Sequence, residues 1–295
     1  MPFQFTILGS GSGGNCAFLE VGDTRLLIDA GFSGRQIRQR LASISRAPET
    51  LSGILITHEH SDHICGLVAL TAKLEVPIYC NRLTREAMES QLQTKLNCRI
   101  FSTGSAFEIG EVGIENFSVP HDAYDPVGFL LRTNLGNIGF LTDLGHATKL
   151  VLERVRPANV LVLETNHDVK MLQDDVRRPW SLKQRILSRH GHLSNDAAAE
   201  VIEEIISPDL QHLYLGHLSR DCNKPELANA VVQTRLQKIG TTEVKVEVTS
   251  QDAPCATLSL ETLKPATKAP ARDLFAAEEI WSRPDATGLV GGALL

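Results

Sequence analysis

The chain has 295 residues, 42% of them hydrophobic and 22% charged, close to the globular average, so it can bury a large core and is not disordered over most of its length. Lys and Arg number 29 against 35 Asp and Glu, a formal net charge of −6. That excludes a uniformly basic nucleic-acid coat but leaves room for a local basic patch, because net charge averages over faces. No apolar run approaches the roughly 20 residues of a membrane-spanning helix. The opening residues lack the basic start of a signal peptide, and the six cysteines contain no CxxC pair. We therefore expect a cytoplasmic chain with reduced thiols and no membrane contact.

In chain order, residues 3–8, 17–21 and 25–28 read as strands, the last two joined by a Gly22-Asp23 turn. Ser33 caps a helix that carries Ile37, Leu41 and Ile44 at helical spacing. Residues 53–57 form a buried strand, a helix follows through Leu70, and residues 76–80 form another strand. Thr84 opens a polar helix to about Leu96. Residues 107–109, 112–118, 127–132 and 138–141 read as antiparallel strands with Gly or Asn turns. Beyond them strands and helices alternate: strand 160–163, helix 182–188, helix 194–206 capped by Ser194, strand 213–215, helix 224–238 with Pro225 in its first turn, then strands 244–248 and 256–260. Meanders followed by alternation predict a mixed, layered α/β architecture rather than a doubly wound parallel sheet. From about Lys264 the chain turns Pro/Ala/Lys-rich. Residues 264–295 read as a linker and tail, and 1–263 as the catalytic domain.

The strongest chemical signal is Thr57-His58-Glu59-His60-Ser61-Asp62-His63. Imidazole and carboxylate suit zinc and other first-row divalent ions. His58 and His60, just past an apolar run, can share one ion, while Asp62 and His63 point to a second. His121, Asp143 and His217 each stand one or a few residues past another apolar run, as does Asp29. Ligands at matching strand ends collect on one edge of layered sheets.

This ordered set resembles the metallo-β-lactamase superfamily over about residues 3–262. The resemblance implies the αβ/βα four-layer sandwich fold and two divalent metal ions. Zinc is the default and manganese or iron the alternative at a carboxylate-bridged site. It implies that His58, His60 and His121 hold one ion, that Asp62, His63 and His217 hold the other, that Asp143 bridges them, and that Asp29 orients the cluster from behind. Leu163-Glu164-Thr165-Asn166-His167-Asp168, Gly191-His192-Leu193-Ser194 and Gly216-His217-Leu218-Ser219-Arg220-Asp221 look like the phosphodiesterase branch that includes tRNase Z. With Gly9-Ser10-Gly11-Ser12-Gly13-Gly14-Asn15 and Pro179-Trp180-Ser181-Leu182-Lys183-Gln184-Arg185, they look like the YycJ/WalJ-like group, which implies a DNA exonuclease working 5′ to 3′.

A phosphodiesterase of this kind must orient water and protonate an alkoxide. Asp62 is the expected water-orienting group and His192, held by Glu164, the expected proton donor. His167 is expected near the site. The Gly9–Gly14 stretch lacks the Gly-Lys-Ser/Thr end of a P-loop and reads as a tight turn at the active edge. Lys170–His192 holds Lys170, Arg177, Arg178, Lys183, Arg185 and Arg189 against Asp174 and Asp175. Such a patch attracts phosphate backbones without base specificity. Arg178, Lys183, Arg185 and Arg220 are candidate substrate contacts, and Trp180 could stack on a base. The rival readings are a thioester or lactone hydrolase of the same fold, which needs no basic patch, an RNA-processing nuclease, and a non-catalytic metal-binding scaffold, which would be free to lose ligands. In the tail, Ala271-Arg272-Asp273-Leu274-Phe275 resembles Leu-Phe peptides that dock on bacterial sliding clamps. It lacks their leading Gln, and a chance Leu-Phe is the plainer reading.

Overall fold

A computed structural model describes residues 3–241 and 243–259. The expected linker and tail, including Leu274 and Phe275, and the expected domain end at 263 lie outside the described residues. The described strands are β1 (Phe3–Gly9), β2 (Cys16–Val21), β3 (Thr24–Ile28), β4 (Gly53–Leu55), β5 (Ile78–Cys80), β6 (Cys98–Ile100), β7 (Ala106–Ile109), β8 (Val112–Ser118), β9 (Val127–Thr133), β10 (Gly136–Leu141), β11 (Val160–Glu164), β12 (His212–Gly216), β13 (Lys245–Val248) and β14 (Leu258–Ser259). The helices are α1 (Gly34–Ser43), α2 (Ser61–Ile64), α3 (Leu67–Thr71), α4 (Arg82–Leu92), α5 (Lys149–Val155), α6 (Val169–Asp174), α7 (Trp180–Ile186), α8 (Asn195–Ile205) and α9 (Pro225–Lys238).

Two seven-stranded sheets result, ordered β14-β1-β2-β3-β4-β5-β6 and β13-β12-β11-β10-β9-β8-β7. Each is built the same way. Pairing is antiparallel along β14-β1-β2-β3 and along β7-β8-β9-β10, then parallel from β3 through β6 and from β10 through β13. The inner parallel strands are covered on both faces, so β11 (Val-Leu-Val-Leu-Glu) is buried at every position. Three apolar clusters separate four layers. Phe5, Phe129 and Tyr214 fill the space between the sheets. Ile37, Leu41 and Met88 lie in the cluster under α1–α4, and Val151, Ile202 and Val232 in that under α5, α8 and α9. This is the αβ/βα sandwich.

Several expected boundaries move for local reasons. The strand expected over 53–57 ends at Leu55, because the chain leaves the sheet to reach the site: Thr57 O accepts from Val127 N of the other sheet at 3.0 Å. The helix expected after the histidines is two short ones, broken at Cys65-Gly66. A Cβ on Gly66 would stand 2.1 Å from Phe32 O, so that residue is set by close backbone approach. The polar helix starts earlier, capped by Asn81 on Thr84 N, and stops at Gln93, which takes a left-handed φ of 51°. The helix expected over 182–188 shifts to α7, because Pro179 serves as its N-cap. β6, α5 and α6 were not expected. Of the last strand expected, over 256–260, residues 256–259 are described and Leu258–Ser259 form the strand. The six cysteines are free thiols. Among the described residues no helix is long and apolar enough to cross a membrane.

Candidate metal centre

Strand ends assemble the site. Asp29 follows β3, the 58–63 segment follows β4, His121 follows β8, Asp143 follows β10, Glu164 ends β11 and His217 follows β12. His58, His60 and His121 bring ligand atoms within 4.8 Å of one another, as do Asp62, His63 and His217; Asp143 groups with His58 and His63 and again with His217. His63 Nε2 lies 3.1 Å from Asp143 Oδ2, and His217 Nε2 lies 3.3 Å from Asp62 Oδ2 and 3.5 Å from Asp143 Oδ1. All seven expected ligands meet in one cluster.

The far nitrogens are tied down, which aims the near ones. His63 Nδ1 donates to Asp29 Oδ2 at 2.8 Å, His121 Nδ1 to Gly191 O at 3.0 Å, and His217 Nδ1 to Glu164 Oε1 at 2.8 Å. Each Nε2 is therefore the nitrogen that would present its lone pair to an ion in the cluster, the arrangement that orients metal-bound imidazoles. Asp29 also accepts from Thr57 N at 2.9 Å, so it organises the β4 end as expected. His58 Nε2 is buried with no hydrogen-bond partner, an orphan that a cation would satisfy. Burial holds His58 and His121 below the ordinary imidazole range, in the neutral form that ligates. Burial disfavours charge on His63 and His217 as well, but Asp143 and the carboxylates around them outweigh it and push both up. Asp143 is correspondingly held well down, burial being overcome by His217 and His63. Carboxylates here are balanced by imidazole protons, which divalent cations would replace. The residues fit such ions.

Glu164 is fully buried and its carboxylate is saturated. Oε1 accepts from His192 Nδ1 at 2.7 Å as well as from His217, and Oε2 accepts from Leu144 N at 3.0 Å and Leu193 N at 3.2 Å. Burial would raise its pKa, but the two imidazoles hold it at about 2. His192 is net raised: burial opposes its charge, and Glu164 prevails. Its Nδ1 is occupied, leaving Nε2 for chemistry.

A cavity opens beside the cluster, lined among others by Ser12, Asp62, Asn166, His167, His192 and Ser219. Of the candidate substrate contacts, Arg178 and Arg185 line it. Arg178 pairs with Asp175 and Asp221, and Arg185 with Asp122, so the basic stretch is mostly neutralised by nearby acids. Lys183 is buried and its Nζ donates to Gln173 O at 2.6 Å. That commits its ammonium to the fold rather than to a ligand. Trp180, 60% exposed, and Arg220, paired with Asp252, stand outside the cavity wall.

Two contributors went unread in the sequence. Asn15 Nδ2 stands 3.2 Å from His63 Nε2 and 3.4 Å from Asp62 Oδ2, and Ser10 Oγ accepts from His217 N at 2.8 Å. Both come from the Gly-rich turn after β1, whose composition marked the place but not these side chains. Gly31 lets that turn pack: a Cβ there would stand 1.6 Å from Asp62 O.

Comparison with known proteins follows the same lines. Residues 24–217 match the family described as Beta-lactamase superfamily domain. The chain is 38% identical over 242 residues to a Bacillus anthracis protein named exodeoxyribonuclease YycJ, covering 81% of this chain and 91% of that one. It is 41% identical over 238 residues to Streptococcus pneumoniae exodeoxyribonuclease WalJ, covering 79% and 88%. The metallo-beta-lactamase fold protein YhfI from Bacillus subtilis superposes with a TM-score of 0.66 at 17% identity, covering 86% of this chain and 100% of that one. The short form of human tRNase Z superposes at 0.57 and 17%, covering 86% and 98%. Sequence, site and fold agree, and the chain belongs to the beta-lactamase superfamily.

Proposed function

We propose that the protein is a metal-dependent phosphodiester hydrolase acting on nucleic acid, specifically a DNA exonuclease that degrades 5′ to 3′. Residues 1–263 would be its catalytic domain and 264–295 an appended linker and tail. The observation that carries the reading is the pair of ligand clusters joined at Asp143, in a chain about 40% identical to proteins named exodeoxyribonucleases. Two divalent ions, zinc by ligand type, would be held by His58, His60 and His121 and by Asp62, His63 and His217, with Asp143 between. Bound there, they supply Lewis acidity toward phosphate oxygens and bring the pKa of water toward neutrality.

The chain's own groups do the rest. Asp62, half-buried at the cavity edge, orients the attacking water through its carboxylate. His192 Nε2 gives its proton to the departing sugar oxygen, which as an alkoxide leaves poorly without one. Glu164 keeps His192 protonated at Nδ1 and turned toward the cavity. Arg178 and Arg185 at the cavity wall meet the phosphate backbone.

Metal-loaded protein should release mononucleotides from DNA labelled at one end or the other, with 5′ label appearing first, and should leave a small thioester untouched. Hydrolysis of the thioester with no nucleotide release would overturn the reading in favour of a small-molecule hydrolase. Preference for RNA would move it to an RNA-processing enzyme.

A further inference from the structure

The cavity at the centre has a second wall of different character. Leu172 of α6 and Leu182 and Ile186 of α7 line it with Cys222. His167, on the turn between β11 and α6, lines it too. Its ring is 1% exposed, and neither Nδ1 nor Nε2 has a hydrogen-bond partner. Buried polar groups are seldom left so, and the proposed chemistry makes no use of this one.

The backbone around His167 is rigidly held. Its carbonyl accepts from Asn195 N at 2.9 Å, Asp168 N donates to Cys222 O at 2.9 Å, and the Asp168 side chain caps α6 on Met171 N at 2.8 Å. The ring is thus presented in a fixed place. Burial pushes its pKa down to about 4, so at neutral pH it offers one donor and one acceptor and no charge. An aliphatic wall with one neutral donor and one neutral acceptor suits the faces and edge of a planar heterocycle rather than an anion. The cavity, about 260 Å³, has room for a single small ligand, not for a continuous strand.

We propose that this wall is a nucleobase subsite: it holds the base of the chain-end nucleotide against Leu172, Leu182 and Ile186, with His167 as a positioning residue that pairs with the base edge. The proposal rests on the nucleic-acid reading above and supplies a reason for cleavage from an end, since a terminal nucleotide can turn its base into the cavity without unstacking an interior one.

The test compares two esters with the same leaving group on the metal-loaded full chain. Thymidine 3′-(p-nitrophenyl phosphate) carries a base on the side of the phosphate where a 5′-terminal nucleotide lies, whereas bis-p-nitrophenyl phosphate carries none. His167→Leu and the more exposed Leu182→Ala should each lower kcat/KM on the nucleoside ester at least about ten-fold more than on the plain ester, the loss lying in KM, as expected for two missing hydrogen bonds or a missing apolar contact. His167→Gln, which keeps a donor and an acceptor, should recover part of it. Calorimetry should show thymidine 3′-monophosphate bound more tightly than inorganic phosphate, with His167→Leu removing the difference. Parallel losses on both esters, or equal binding of nucleotide and phosphate by the parent protein, would overturn the subsite. Should the parent bind the nucleotide through His167 yet cleave neither ester nor DNA, the nuclease reading fails and the subsite stands.

Discussion

Replacing Glu164 with Gln tests the centre at its most heavily shared atom pair. The carboxylate accepts four hydrogen bonds, two from imidazoles and two from backbone amides. An amide has a single accepting oxygen, so its NH2 must face either His192 and His217 or Leu144 N and Leu193 N. Two buried donors then lose their acceptor, at about 1–3 kcal/mol each, or about 2–6 kcal/mol together. The escape is for His217 to move its proton to Nε2, the nitrogen that lies 3.3 Å from Asp62 Oδ2 and 3.5 Å from Asp143 Oδ1, and that blocks a lone pair the ion needs. Glu164→Gln should therefore bind metal about 10–100-fold more weakly, the usual effect of losing a histidine's outer partner, and should lose activity on every substrate, more on DNA because His192 loses its partner too. His192→Ala removes only the proton donor. It should keep its metal, lose about 10²–10⁴-fold on DNA, and lose far less on p-nitrophenyl esters, whose phenolate leaves unaided. Elemental analysis across a chelator series, beside rates on DNA and on bis-p-nitrophenyl phosphate, separates the two patterns. Wild-type metal affinity in Glu164→Gln would refute the claim that this carboxylate fixes His217. Equal losses on both substrates in His192→Ala, with metal retained, would remove the donor role.

Changing His58 or His60 to Ala should take metal content below two equivalents and abolish turnover, since it leaves two of the three imidazoles in the His58-His60-His121 cluster; full metal content in either variant would rule these residues out as ligands. Arg178→Ala with Arg185→Ala should lower the log-affinity versus log-salt slope for DNA by about one to two, and an unchanged slope would place the binding face elsewhere. Lys183 is left out of this pair because its ammonium is buried and held on Gln173 O. Stability should also depend on His167. Its folded pKa of about 4 lies below the ordinary imidazole value of 6.5, so as pH falls through that window the unfolded chain takes a proton the folded one refuses. Stability contributed above pH 6.5 is lost toward pH 4, by about 3 kcal/mol at most, and His167→Leu should flatten that part of a urea-denaturation pH series.

How much of this could be read without coordinates differs by kind of signal. The ligand cluster was legible because its residue types are chemically narrow and follow apolar runs one after another. The two-sheet plan was legible because meander and alternation carry different periods. What stayed hidden was set at long range. α5 and α6 are 7 and 6 residues long, too short to show a helical period, and β6 is a three-residue edge strand. Glu164 was read as a partner of His192 alone. Its second imidazole, His217, is 53 positions away, and only the parallel pairing of β11 with β12, which puts Glu164 opposite Gly216, brings them together. The ion pairs of the basic stretch stayed hidden for the same reason: Asp122 and Asp221, which pair with Arg185 and Arg178, come from other parts of the chain.

The backbone carries its own argument for the site. Five described non-glycine residues have left-handed φ, and three of them are Asp29 at 60°, Asp143 at 57° and His217 at 56°. Asp29 and Asp143 occupy matching places: each follows the strand, β3 or β10, at which its sheet turns from antiparallel to parallel pairing. Such a conformation costs a residue with a Cβ about 1 kcal/mol or more, and glycine would adopt it freely. A glycine, however, would bring no ligand or orienting group to the strand end. Asp and His are among the side chains that tolerate this region best, and they are also the ones that bind divalent ions. Two separate demands, a sharp turn out of the sheet and a donor atom at its end, thus select the same residue types. The surrounding hydrogen bonds, Asp29 N to Leu55 O at 2.8 Å and His217 N to Ser10 Oγ at 2.8 Å, hold the turns in place. Strain kept at three positions that each face one cluster marks that cluster as the part of the molecule maintained for chemistry rather than for the fold.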